Sequence, residues 1–183
     1  MHDHRPELER LALGVAEIDA LDLYLGLVAD WGERVNLTGA KSAIERVAVL
    51  VVPALVLRSH LRPGGLLDVG SGNGSPGLVL ALLEHDRPVV LLEPRSRRWA
   101  FLLEAARQAG RPDARILRER HDQYRGPAMA NVLLRGLRLP LAQIEPLIAA
   151  GGQALLSADA AEIGLPQPSP GVYVYRPGVS RET

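Results

Sequence analysis

The spacing of apolar residues changes near residue 64 of this chain. From Glu7 to about Trp31, apolar side chains recur every three or four positions with charged residues between them, which predicts a helix. Ser42, followed three positions later by Glu45, is typical of the capping box that begins a helix. Because Pro53 lacks the backbone N–H that a helix interior needs, this second helix should kink or stop near it.

Beyond residue 64 the apolar residues form short runs bounded by turn residues. These runs predict strands at Leu66–Val69, Val89–Leu92, Arg115–Leu117, Val132–Leu134, Ala154–Leu156 and Val172–Tyr175. Helical stretches fill most of the intervals, at Pro76–Leu83, Ser96–Ala109 and Leu141–Ala149. This alternation predicts an α/β fold, with a mostly parallel sheet and helices on both of its faces. We expect residues 1–63 to form an N-terminal helical extension and residues 64–183 to form the ligand-binding core.

The amino-acid composition limits the kinds of site and ligand that the chain can have. The chain has 183 residues, no cysteine and a formal net charge of zero. Disulfides and thiolate metal sites are therefore impossible, and because no other metal-ligand spacing stands out, we expect no metal. Zero net charge argues against a wholesale electrostatic grip on nucleic acid. However, 20 of the 21 basic residues are arginine, whose planar guanidinium suits phosphate.

The apolar segments and the N-terminus bear on localisation. The longest apolar run, Val47–Leu57, contains Pro53 and is too short to span a bilayer. The charged N-terminus is followed by no apolar signal core. We therefore expect a cytoplasmic protein with no membrane partner.

The stretch LLDVGSGNGSPG, residues Leu66–Gly77, joins the first predicted strand to its helix. In an open parallel sheet, ligands bind at this place, and glycines let a ligand approach the backbone. Gly72, Gly74 and Gly77 fit the G-x-G-x-x-G pattern of dinucleotide enzymes, but two residues separate that pattern from the strand end. The alternative is an acid followed by a glycine series, Asp68-x-Gly70-x-Gly72-x-Gly74.

An acid before the glycines suits a ligand that carries an amino group better than a pyrophosphate. S-adenosylmethionine has such an amine, together with a sulfonium charge and a ribose. The second strand ends in Glu93, about 20 residues beyond the glycines, where an acid is expected to accept the ribose hydroxyls. Asp68, the glycines and Glu93 together indicate an adenosine ligand, and we favour a methyl donor.

With these features the chain resembles the glucose-inhibited division protein B family. Members of this family are bacterial methyltransferases that act on guanine N7 of 16S ribosomal RNA. The similarity runs from about Leu21 to Ser157. It is carried by LYLGLVADWGERVNLTG, by the glycine loop with its Pro-Gly ending, and by LLEPRSRRWAFLLEAARQAG. The resemblance implies a Rossmann-like class I methyltransferase fold, S-adenosylmethionine as cofactor, and 16S rRNA or the small ribosomal subunit as partner. We expect a monomer.

The resemblance also implies roles for individual residues. Gly70 and Ser75 should line the cofactor, Glu93 should bind its ribose, and His121 and Asp122 should contact its adenine. Arg135 falls on an arginine that lies next to both cofactor and substrate, which makes it the candidate catalytic residue. An arginine-rich surface is expected to bind RNA, and the candidates for it are Arg95, Arg97, Arg98 and Arg120.

The chain departs from the family pattern at several of these places. Ser75 stands where the family usually has leucine or an aromatic residue, and VVPALVL replaces a polar His-Phe-x-x-Ser segment. The family's Leu-Lys-Gly after the fifth strand becomes LSAD, which replaces a lysine and adds Asp159. The family's Ser-Arg-Ala becomes Leu134-Arg135-Gly136, and loss of that serine hydroxyl predicts a poorly held guanidinium.

These departures predict weak or absent RNA methylation despite cofactor binding, and they leave two alternatives open. The first is a degenerate paralogue that binds S-adenosylmethionine without methylating RNA. The second is a small-molecule methyltransferase on the same scaffold.

Overall fold

A computed structural model describes residues 3–157 and 165–178. Within them, six strands form one sheet in the order β3-β2-β1-β4-β5-β6. The strands are β1 Leu66–Val69, β2 Val89–Leu92, β3 Arg115–Leu117, β4 Met129–Arg135, β5 Ile148–Ser157 and β6 Val172–Tyr175. The pairings among β1 to β5 are parallel, whereas β6 runs antiparallel to β5. The predicted mostly parallel sheet is therefore confirmed.

The helices are unequally divided between the two faces of the sheet. They are α1 Arg5–Leu8, α2 Val15–Gly32, α3 Ala43–Arg46, α4 Val52–Arg58, α5 Gly77–Leu83, α6 Ser96–Gln108 and α7 Leu141–Ile144. Side chains of α2, α4, α5 and α6 share one buried cluster with β1 and β2 residues such as Leu66 and Leu91. The opposite sheet face packs against the short α7, the 3-10 turn Glu145–Leu147 and loop residues such as Tyr124. Both faces are covered, as predicted, but one of them only thinly.

Some element boundaries differ from those predicted. The helix expected from Glu7 to Trp31 is interrupted before Val15, because the side chain of Glu17 accepts a hydrogen bond from the backbone N–H of Gly14 and begins a new helix. The helix expected over Leu141–Ala149 ends early, and β5 already begins at Ile148. Pro146 provides a reason, since it has no N–H with which to continue the helix.

The interruption expected near Pro53 is present as a π-helical turn, Val47–Val51, that joins α3 to α4. In a regular α-helix the N–H of residue 53 would bond to the carbonyl of Val49. Proline has no such N–H, so that carbonyl is left for another donor. The chain therefore stays helical through this segment while its hydrogen-bond pattern changes.

The predicted N-terminal extension does not have a core of its own. Leu21 and Leu25 of α2 and Leu57 of α4 belong to the same buried cluster as β1 and α5. The described parts of the two predicted segments, before and after residue 64, therefore differ in local structure but share one buried apolar cluster. No helix within residues 3–157 and 165–178 is both long and apolar enough to cross a membrane.

Candidate functional site

The glycine loop follows β1 at the carboxyl edge of the sheet, between β2 and β4. Gly70, Gly72 and Gly74 have φ values of 75°, 56° and 96°, a region that side chains with a Cβ rarely adopt. This conformation folds the loop back on itself, and the Gly72 amide turns towards the end of β2. The glycine series is thus required by the backbone as well as by any ligand that approaches it.

The buried Asp68 side chain stabilises the end of this loop through a hydrogen bond with the Gly77 amide. It is only 1% exposed, and its Oδ2 accepts a hydrogen bond from the Gly77 amide at 3.1 Å. A Cβ on Gly77 would lie 2.4 Å from that oxygen, so only glycine fits there. Burial raises the pKa of Asp68 to about 7. The predicted direct contact between Asp68 and the donor's amino group is not favoured by this geometry, because the carboxyl group faces α5 rather than open space.

Glu93 directly follows β2, and two backbone amides hold its side chain in place. Its Oε2 accepts from the Gly72 amide at 2.9 Å, and its Oε1 accepts from the Arg95 amide at 2.8 Å. The residue is 3% exposed. Each carboxylate oxygen has a second lone-pair position available to a further donor. A pair of neighbouring hydroxyls, such as those of a ribose, fits this arrangement.

A cavity of about 540 Å³, here called the cofactor cavity, opens beside the loop and Glu93. Its volume lies within the range of small-molecule sites. Most of the predicted site residues line it: Gly70, Gly72, Ser75, Glu93, Arg95, Arg98, Arg120, His121 and Arg135. Asp68, Gly74, Arg97 and Asp122 are not among its lining residues. A Cβ on Gly74 would lie 3.1 Å from side-chain atoms of both Leu78 and Leu102, so the packing there favours glycine.

Arg135 lies at the β4 end of the cofactor cavity and is firmly held. Its Nη1 donates to Ser75 Oγ at 2.8 Å, and its Nη2 donates to the Val49 carbonyl at 2.6 Å. Ser75 Oγ in turn donates to the Leu50 carbonyl at 2.6 Å. The expectation of a poorly held guanidinium is therefore wrong: the hydroxyl absent from position 134 is supplied by Ser75. Burial lowers the pKa of Arg135, but arginine stays protonated in proteins.

At the opposite end of the cofactor cavity, His121 and Asp122 make different contacts. The His121 Nε2 lies 3.0 Å from Gln143 Oε1. Asp122 forms an exposed ion pair with Arg120, whose Nε lies 3.2 Å from its Oδ1. The guanidinium beside it lowers the pKa of Asp122. Only His121 of the two faces the cavity, and the charge of Arg120 is partly balanced.

The remaining predicted arginines lie at separate places. Arg98 donates to the Asn36 carbonyl at 2.7 Å and ties α6 to the N-terminal segment. Arg97 is exposed beside Trp31 and Arg34, along a different cavity. Asp159 lies outside the described residues.

Asn73 is a residue of the site that sequence reasoning missed. Its Nδ2 donates to the Leu37 carbonyl at 2.9 Å, its Oδ1 accepts from the Ser75 amide, and its own carbonyl accepts from Tyr24 Oη. Tyr24 is fully buried, and that burial raises its pKa. Asn73 thus fastens the glycine loop to the N-terminal helices. The sequence signal that could have identified Asn73 was a polar residue within a series of glycines.

The parallel sheet with an antiparallel final strand, the glycine loop after β1 and the acid at the end of β2 together define a class I S-adenosylmethionine-dependent methyltransferase. Solved structures share this fold. Coclaurine N-methyltransferase bound to N-methylheliamine and SAH has a TM-score of 0.56 and 16% identity, over 84% of this chain and 57% of that one. A putative protein-L-isoaspartate O-methyltransferase from Plasmodium falciparum has a TM-score of 0.55 and 17% identity, over 87% of both chains.

Within this class the chain belongs to the rRNA small subunit methyltransferase G family, whose model matches residues 17–157. A relative from Halorhodospira halophila is 32% identical over 163 residues, 89% of this chain and 76% of that protein. One from Nitrosococcus oceani is 34% identical over 119 residues, 63% of this chain and 56% of that protein. Both are ribosomal RNA small subunit methyltransferases G. The expected family, fold and cofactor are confirmed, and S-adenosylmethionine is the methyl donor.

Proposed function

We propose that this protein transfers a methyl group from S-adenosylmethionine to N7 of a guanine in 16S rRNA. The observation that carries the proposal is the family match over residues 17–157, which includes every residue that lines the cofactor cavity. The proposal has the protein act as a monomer in the cytoplasm, on 16S rRNA or on the small ribosomal subunit.

The order of the strands indicates how the cofactor is oriented within the cofactor cavity. Glu93 follows β2 and His121 follows β3, on one side of β1, whereas Arg135 ends β4 on the other side. We place the ribose against Glu93 and the adenine towards His121. The methionine portion then lies above Gly70 and Ser75, and the transferable methyl group faces Arg135.

Methylation of guanine N7 does not require the protein to transfer a proton. Bound S-adenosylmethionine supplies an electrophilic methyl group on its sulfonium. The lone pair of guanine N7 forms the new N–C bond as the C–S bond breaks, and the electron pair of that bond stays on sulfur. N7 carries no proton, so no general base is needed, and catalysis depends on alignment and on the exclusion of water.

Arg135 is suited to provide that alignment. A guanidinium has five N–H donors, and two of those of Arg135 are engaged with Ser75 and Val49. The remaining donors are available to O6 of guanine, which lies next to N7. Because Arg135 is fixed from the glycine loop and from the π-helical turn, a base oriented by it has a defined position relative to the methyl group.

Exposed and partly exposed arginines near the cavity provide contacts to the RNA backbone. Arg95 and Arg98 lie at the rim next to Glu93, and Arg120 lies at the far side. Arg97 and Arg34 lie beside the partly exposed Trp31 at a separate surface that also includes Asp30. Arginine and aromatic side chains bind phosphates and stack on bases of single-stranded RNA. We assign these residues to positioning of the RNA.

The test is methylation of small ribosomal subunits that lack the modification. Purified protein, labelled S-adenosylmethionine and undermethylated subunits should yield 7-methylguanosine, detected by nucleoside mass spectrometry, and Arg135→Ala should abolish it. Naked 16S rRNA in a parallel reaction shows whether the assembled particle is needed. Cofactor binding without any RNA product would contradict the proposal and favour a binding module. Methyl transfer to small molecules alone would favour the other alternative.

A further inference from the structure

A second cavity adjoins the cofactor cavity and shares part of its wall. This neighbouring cavity, of about 420 Å³, is lined by Thr38, Gly39, Ala40, Lys41, Glu45, Val49, Leu50, Asn73 and Arg135. Arg135 and Asn73 line both cavities. With the cofactor oriented as proposed above, a molecule in the neighbouring cavity meets its methionine end, and its adenosine end lies on the other side of β1, towards Glu93.

Glu45, in α3, and Arg135, at the end of β4, are side chains of opposite charge that line this cavity. Val49 lies four residues after Glu45, within the π-helical turn. The Val49 carbonyl accepts from Arg135 Nη2, which brings the guanidinium to the same helical segment as Glu45. The lining of this cavity also includes the apolar residues Ala40 and Val49, and Val49 is 39% exposed.

The Glu45 carboxylate has one oxygen committed and one available. Its Oε2 accepts from the amides of Lys41 at 2.6 Å and Ser42 at 3.0 Å, and these bonds lower the pKa of Glu45. Its Oε1 takes part in neither of these backbone bonds, and the Glu45 side chain is exposed, with the Ser42 hydroxyl as a further neighbour of the carboxylate. An ionised carboxylate oxygen fixed by backbone bonds at its neighbour is a preorganised acceptor.

A carboxylate and a guanidinium that line the same cavity are complementary to guanine. Guanine presents two adjacent donors, N1–H and the 2-amino group, and on its other edge the acceptors O6 and N7. Adenine presents an acceptor at N1, which a carboxylate would repel. A carboxylate on one wall and a guanidinium on another therefore complement guanine, with its faces against the apolar residues of the lining.

We propose, on the basis of the function proposed above, that the neighbouring cavity is the acceptor-base pocket and that Glu45 Oε1 accepts hydrogen bonds from N1–H and the 2-amino group of the target guanine. Arg135 then faces O6, and N7 points towards the methyl donor. Lys41, the one lysine of the chain, lies at the same cavity and is available to an adjacent phosphate.

This contact also strengthens during the reaction. Methylation at N7 places positive charge on the purine ring and makes N1–H a stronger donor. Its bond to an anionic acceptor is therefore stronger in the transition state than in the bound substrate, which is the condition for an interaction to raise the rate. Glu45 is thus assigned both recognition of guanine and stabilisation of the developing charge.

The test compares two heptameric RNAs, UUUGUUU and UUUIUUU, which differ only in the 2-amino group of the central base. Fluorescence anisotropy measures their binding to the full chain in the presence of S-adenosylhomocysteine. A hydrogen bond to a charged group predicts that the wild type binds the guanosine RNA about tenfold or more tightly than the inosine RNA. Glu45→Gln keeps an oxygen for the Lys41 and Ser42 amides but removes the charge, so the preference should disappear.

The control variant is Glu33→Gln, an exposed residue at the end of α2, which should retain the preference. A wild type without preference, or a Glu45→Gln variant that keeps it, would overturn the assignment. Binding needs no turnover, so the two proposals fail separately. Preference for guanosine without 7-methylguanosine in rRNA contradicts the proposed function alone, and rRNA methylation without that preference contradicts the pocket alone.

Discussion

Replacing Ser75 by alanine removes the hydroxyl that joins Arg135 to the π-helical turn. Ser75 is 6% exposed, donates to the Leu50 carbonyl and accepts from Arg135. The bond to the charged guanidinium contributes about 1.5–3 kcal/mol, and the bond between neutral groups about 0.5–1.5 kcal/mol. Because Arg135 keeps partial access to water, we expect the free energy of unfolding to fall by roughly 2–3 kcal/mol. The guanidinium also loses one of its two anchors.

Urea unfolding and methylation kinetics measure these two consequences separately. A catalytic group displaced by about 1 Å costs on the order of a hundredfold in rate, so kcat of Ser75→Ala should fall by about that factor under conditions where the variant is folded. Ser59→Ala is the control, since Ser59 Oγ donates to the Val56 carbonyl on the surface, away from Arg135. A variant destabilised as expected but with unchanged kcat would refute the catalytic placement of Arg135.

The remaining predictions concern the cofactor carboxylate, the RNA-facing arginines and the buried aspartate. Glu93→Ala should weaken S-adenosylmethionine binding about tenfold or more in calorimetry, and tight binding of NAD instead would contradict the assignment. Arg95→Ala should reduce the slope of log affinity against log salt by about 0.7, the value for one phosphate of a single strand. Arg120→Ala should reduce this slope less, because Asp122 already pairs with Arg120. An RNA affinity that does not depend on salt concentration would refute both arginine predictions. With a folded-state pKa raised from 3.8 to about 7, Asp68 destabilises the fold as pH rises through that range. Relative to Asp68→Asn, the wild type should lose roughly 2–3 kcal/mol of stability between pH 5 and pH 8, and a difference constant with pH would count against this account.

The sheet and the glycine loop were predictable because short-range patterns determine them. Val89–Leu92 is apolar throughout and Leu66–Val69 is apolar except for Asp68, as is typical of strands buried on both faces, and turn residues mark their ends. The place of Glu93 follows from the length of one strand–helix–strand unit. Local sequence therefore located both the cofactor loop and its acidic partner.

Contacts between distant segments were not predictable in the same way. Ser75 and Arg135 are 60 positions apart, and their bond depends on the packing of α5 and β4. The apolar alternation at residues 141–149 fits a buried helix and the start of a buried strand equally well, and Pro146 decides between them. Asp68 carries a charge in the sequence, but only its burial shows that it supports the loop rather than facing the cavity.

The π-helical turn explains how an apolar segment can serve a polar site. The family's polar segment before β1 is replaced here by VVPALVL, which has no polar side chain. Pro53 leaves the Val49 carbonyl without its α-helical donor, and Arg135 Nη2 occupies that position at 2.6 Å. A backbone carbonyl is present whatever side chain stands at position 49, so the anchor for Arg135 depends on the proline that frees it. Polar character lost from the side chains of this segment is thus recovered from its backbone, at the boundary between the cofactor cavity and the neighbouring cavity.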